Sequence, residues 1–173
     1  MKIYGISGLG ADERVFDQVN RYLDHKIEFV PWLEPEPKES LRHYALRMAG
    51  TLDTQAPFSL VGVSFGGMIA TEMRKVIHPQ RTVIVSSAAC RKELPIYFRG
   101  VGRLNLVPYI PNSFINVPRP LINVITSIKD EAQADLAYDI MQKSRPEFIK
   151  WAVQSILTWD NDEVPEGLRR IHG

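Results

Sequence analysis

The chain is poor in cysteine, in histidine and in long apolar runs. Its single cysteine, Cys90, has no internal disulfide partner. The fold therefore does not rest on oxidation, and a reducing, cytoplasmic setting is the expectation. Cys90 as a nucleophile and Cys90 as an incidental thiol both stay open, the second being the plainer. No segment has the apolar length of a signal peptide or a membrane span; the N-terminal MKIYGISGLGADE breaks at glycines after a short apolar run. There is no excess of one charge, since 21 Lys and Arg meet 20 Asp and Glu. The basic pairs Arg74–Lys75, Arg91–Lys92 and Arg169–Arg170 are isolated, which reads as solvated surface and not as a nucleic-acid footprint. There are four histidines, far apart, with no HExxH and no cysteine pair. Neither a metal nor another cofactor is implied. Repeats and low-complexity tracts are absent too.

What is present is the composition of a globular protein: 173 residues, 45% hydrophobic and 24% charged. That length supports one domain, with room for an inserted subregion. Short apolar runs at 2–7, 26–30, 58–63 and 81–87 read as strands. Helical patterns stand between them. Residues 11–23 carry Val15, Val19 and Leu23 at fourfold spacing behind Asp12 and Glu13. Residues 40–52 place Leu41, Tyr44, Ala45, Met48 and Leu52 on one face, and residues 65–77 follow the third strand. Strands alternating with helices predict right-handed crossovers and a mostly parallel, doubly wound α/β sheet.

The rhythm changes after Ala89. Residues 90–166 show no strand and contain Pro95, Pro108, Pro111, Pro118, Pro120, Pro146 and Pro165. The clearest helix among them begins at Ser144, which forms a capping box with Glu147, and carries Phe148, Ala152 and Ile156 as an apolar stripe. The predicted organisation is a core at 1–89, a helical insertion at 90–166 and a return strand at 167–173.

The chemistry concentrates in FSLVGVSFGGMIATEM (58–73), where Ser64 stands at a strand-to-helix junction. A sharp turn there strains the serine and forces small residues two positions away on each side. Gly62 and Gly66 meet that demand. The turn raises the hydroxyl above the strand end, where helix N-terminal N–H groups point. A tight turn that needs its glycines for packing, with Ser64 a spectator, is the plainer alternative. ISGLGADERVF (6–16) also follows a strand and opens a helix. Its Gly-x-Gly loop can supply a second backbone N–H. It is not a dinucleotide fingerprint, because Glu13 stands where the third glycine belongs, and no phosphate-loop Gly-Lys-Ser/Thr occurs.

On SGLG after the first strand, GVSFGG after the third, the proline-rich helical stretch and the late RIHG, the chain resembles the α/β-hydrolase family over its whole length. The resemblance implies an acyl-enzyme on Ser64, with the N–H groups of Leu9 and Phe65 as the oxyanion hole. Ser7 occupies a position where many relatives carry histidine; since the donors are backbone groups, the hole survives that departure. The resemblance also implies an acid and then a histidine following the serine. His25, His43 and His78 are not placed for that role. His172 follows Ser64 but belongs to RIHG, so a loop-shaping role is weighed against a catalytic one. Asp160 and Asp162 read as loop charge, with a catalytic acid as the alternative.

The expectation is a chain lacking the C-terminal part of the fold, with acid and base beyond Gly173 and little or no turnover of its own. The insertion is expected to act as a cap. Tyr97, Phe98, Tyr109, Phe114, Trp151 and Trp159 would line an acyl or alcohol pocket or, for most of them, simply pack the cap onto the sheet. The partner implied is a small ester, thioester or related acyl compound, with no nucleic acid and no membrane. A serine at the elbow argues against dehalogenation, which in such folds uses a carboxylate. An acyltransferase, or a binding protein that has lost its triad, are the alternatives.

Overall fold

The computed structural model describes residues 1–96, 98, 107 and 145–172. Five strands form one sheet: β1 (Lys2–Ile6), β2 (Ile27–Phe29), β3 (Phe58–Val63), β4 (Arg81–Val85) and β5 (Leu168–Ile171). The order across the sheet is β2-β1-β3-β4-β5, and every pairing is parallel. The chain first steps outward from β1 to β2, then crosses back to β3 and continues outward through β4. The direction of winding therefore reverses between β1 and β3, and ligand crevices of open α/β sheets form at such reversals.

Helices α2 (Leu41–Ala49) and α3 (Phe65–Arg74) cover one face and pack on each other. Ser40 caps α2, its Oγ accepting from the His43 N–H at 3.2 Å. The predicted stripe is the buried one: Leu41, Tyr44, Ala45 and Met48 meet Tyr4, Ile6, Leu60, Ile69 and Met73 in the main core. Helix α4 (Pro146–Thr158) sends Phe148, Ile149 and Ala152 into that same core. Its N-cap is Arg145 with Pro146 opening the helix, so Glu147 is not the third residue of a capping box; Ser144 lies outside the described residues. Among the described residues no strand lies between β4 and β5.

The segment after β1 departs from the periodic reading. It is a 3-10 turn (Glu13–Phe16) followed by one short helix, α1 (Asp17–Asn20). Val15 and Val19 are exposed, and the buried residue is Phe16. Phe16 is pressed onto β1 at Gly5, where a Cβ would come within 2.8 Å of its ring and 2.3 Å of Ile27.

Candidate functional site

Ser64 links β3 to α3 with φ 51° and ψ −120°, a region that strongly favours glycine. A serine there stores strain of about 1 to 3 kcal/mol. Its N–H donates to the Val85 carbonyl at 2.9 Å, and its own carbonyl accepts from the Gly67 N–H at 2.9 Å. The side chain is exposed, and no hydrogen bond engages the hydroxyl among the described residues. The flanking glycines are a steric necessity. A Cβ at Gly62 would stand 2.5 Å from the Gly66 carbonyl oxygen, and one at Gly66 would stand 2.2 Å from that of Ser7. Gly67 is equally constrained, with a Cβ falling 2.4 Å from the Ser87 hydroxyl; sequence reasoning missed it, although the doubled glycine is visible in GVSFGG.

The loop after β1 runs beside this turn. A Cβ at Gly8 would meet the Ser64 Cβ at 3.7 Å. The loop is held by the Ala11 N–H donating to Gly8 O at 2.9 Å and by the Ser7 hydroxyl donating to Ala11 O at 2.6 Å. Ser7 is wholly buried. The Leu9 side chain leans on the core. Among the described residues no acceptor pairs with the N–H of Leu9 or of Phe65. The structure thus brings Gly62, Ser64, Phe65, Gly66 and the Leu9 loop together at the C-terminal ends of β1 and β3.

Two further features were not legible beforehand. Ser86, just past β4, also has positive φ, 47°. Val63 pairs with Val85, so Ser64 and Ser86 are neighbours on adjacent strand ends. Trp32, in the loop after β2, stacks on the Phe65 ring at 5.8 Å and 24°. The repeated serine at the end of VIVSS was the one signal available for the first. Nothing in PWLEPEPKES marked the second.

The histidines are spread out. His25 and His78 are exposed and precede β2 and β4, so they lie at the N-terminal edge of the sheet, away from Ser64. On α2, exposed His43 contacts the Glu39 carboxylate at 2.8 Å. His172 follows β5 on the same edge as Ser64 but two strands over, about 10 Å across the sheet. Asp160 and Asp162 are exposed. Between them Asn161 is buried and ties the chain to Ala89 O at 2.9 Å. Of the aromatic residues expected in the insertion, Tyr97, Tyr109 and Phe114 lie outside the described residues. Phe98 is partly buried, while Trp151 and Trp159 pack inward with their indole N–H groups on Glu39 O and the Glu72 carboxylate, at 2.9 and 2.8 Å.

A separate groove of about 830 Å³ lies between the 34–40 loop and α4, and Ser64 does not line it. At its side Glu36, Glu39 and His43 bring ligand atoms within 4.8 Å of one another. Arg47 already occupies that cluster, bonding both Glu39 oxygens at 3.0 and 2.8 Å. Burial works to raise the Glu39 carboxyl, but hydrogen bonds from Glu36 N–H, Arg47 and His43 outweigh it and hold it below the ordinary carboxylate range.

No family model matches the sequence, and no curated protein does. Solved structures do. A lipase-esterase related protein from Clostridium acetobutylicum is 14% identical at a TM-score of 0.67, covering 99% of this chain and 84% of that one. A hydrolase from Pseudomonas aeruginosa is 11% identical at 0.65, covering 99% and 80%. The enol-lactonase from Burkholderia xenovorans is 13% identical at 0.63, covering 99% and 82%.

Proposed function

We propose that this protein, whose fold is that of the α/β-hydrolases, is a serine hydrolase acting on a small carboxylic ester or related acyl compound. The observation that carries the reading is the backbone of Ser64, a non-glycine residue at φ 51° with its hydroxyl exposed and unbonded among the described residues. Strain of that kind persists at sites where it serves a geometry. Ser64 Oγ attacks the acyl carbon. The hydroxyl proton passes to a base, the carbonyl oxygen becomes an anion that the N–H groups of Leu9 and Phe65 stabilise, and return of that proton to the departing oxygen expels the alcohol and leaves an acyl-Ser64 ester for water to cleave. The same acyl-enzyme can pass to another acceptor, which is the acyltransferase variant. Residues 90–166 act as the cap over this crevice, and the protein works in the cytoplasm without a cofactor.

Attack by a serine needs a base to take its proton and an acid to orient that base. Among the described residues no base is hydrogen-bonded to the Ser64 hydroxyl. That same observation favours a second reading, a ligand-binding protein that keeps the pocket without turnover. Labelling the protein with a fluorophosphonate probe separates the two. Labelling that disappears in Ser64→Ala supports the enzyme. A well-folded protein that stays unlabelled supports the binder.

A further inference from the structure

We infer that Trp32 is a positioning residue that locks the two oxyanion donors to each other, an inference that rests on the Ser64 reading above. The two donors come from different parts of the chain. Leu9 lies in the turn after β1, and Phe65 opens α3. An oxyanion hole works only if both N–H groups hold one fixed geometry, because displacement on the ångström scale forfeits much of its effect.

One side chain touches both structures. The Trp32 indole N–H donates to the Ala11 carbonyl at 2.8 Å. That carbonyl is the one the buried Ser7 hydroxyl grips at 2.6 Å, and Ala11 N–H closes the turn onto Gly8 O at 2.9 Å. The Leu9 turn is thus fastened through a single oxygen holding two donors. The face of the same indole stacks on the Phe65 ring at 5.8 Å and 24°. On its other contacts the indole meets Phe148 at 5.2 Å and Tyr44 at 6.5 Å. Tyr44 in turn anchors the Trp32 loop, its hydroxyl donating to Leu33 O and accepting from Leu33 N–H, both at 2.9 Å. Polar edge and apolar face therefore do separate jobs. The edge sets the turn bearing Leu9, and the face sets the residue bearing the second N–H.

Trp32→Phe keeps a stacking ring and removes the N–H, and Ser7→Ala removes the companion donor. Two measurements on the protein read the result. Amide hydrogen exchange should quicken at Ala11, whose N–H is bonded to Gly8 O, in both variants, while amides of β3 and β4 keep their wild-type rates. The second-order rate of fluorophosphonate labelling at Ser64 should fall about ten- to a hundredfold in Trp32→Phe, and the two substitutions together should cost less than the product of their separate effects. Unchanged exchange in the turn overturns the inference, whatever Ser64 does. So does a loosened turn with labelling at the wild-type rate, which makes Trp32 a packing residue only. A wild-type protein that does not label at all sinks the Ser64 reading first and the positioning role with it.

Discussion

At the scale of single residues, the backbone at Ser64 conflicts with its side chain. Serine at φ 51° is strained by about 1 to 3 kcal/mol, and glycine would adopt that conformation freely. Glycine also gives the unfolded chain more freedom, which costs about 0.5 to 1 kcal/mol. The strain term wins, so Ser64→Gly should raise unfolding stability by about 1 kcal/mol. Ser64→Ala keeps a Cβ and should raise it little. Urea unfolding of the two variants checks this, and a less stable glycine variant would show that the turn is not strained. Gly62 and Gly66 were legible from spacing alone, since the collision they avoid lies within five residues of chain. Trp32 was not, because its partners Ala11 and Phe65 are brought to it by the sheet.

At the scale of elements, the amphipathic helix at α2 was readable because its stripe and its Ser40 cap agree, whereas Val15 and Val19 kept the period of a helix that is not formed. A spacing rule reports which residues share a helical face and is silent on whether a helix is the element that fits. Here the segment buries Phe16 against Gly5 and leaves Val15 and Val19 exposed. The two stems at either end of the 90–160 stretch are joined in a way that no local pattern announces. Asn161 donates to Ala89 O at 2.9 Å and Glu163 O at 2.7 Å, accepts from Glu163 N–H at 3.2 Å, and its carbonyl accepts from Arg91 N–H at 2.7 Å. The side chain is buried, so its loss leaves carbonyls and an N–H without partners. Asn161→Ala should cost about 2 to 3 kcal/mol in urea unfolding. Asn161→Asp should cost at least as much, because it sets a carboxylate against two carbonyl oxygens.

At the scale of the whole molecule, Glu39 is a junction. Its side chain has no exposed surface and joins the 34–39 loop to α2 through Glu36 N–H, His43 and Arg47. Its backbone carbonyl takes the Trp151 N–H of α4 at 2.9 Å. The carboxyl is held below its ordinary value of 4.5 in the folded protein. A depressed carboxyl contributes stability that is fully present above the unfolded value and lost as pH falls through the folded one. Stability should therefore drop below about pH 4.5, and Glu39→Gln, less stable near neutrality, should lose less over that acid range. Urea midpoints measured from pH 7 down to pH 3 test this; parallel curves for the two proteins would remove Glu39 from the acid response.

The sequence by itself determined the alternation of strands and helices, the turn at Ser64 and the glycines that permit it. These depend on neighbours a few residues apart, where sterics and hydrophobic period act directly. Only the tertiary structure decided that Trp32 bridges the Leu9 turn to Phe65 and that Ser86 stands next to Ser64. Those relations follow from the order β2-β1-β3-β4-β5. Parallel pairing through long crossovers sets that order, and it brings together residues whose separation along the chain carries no local signal.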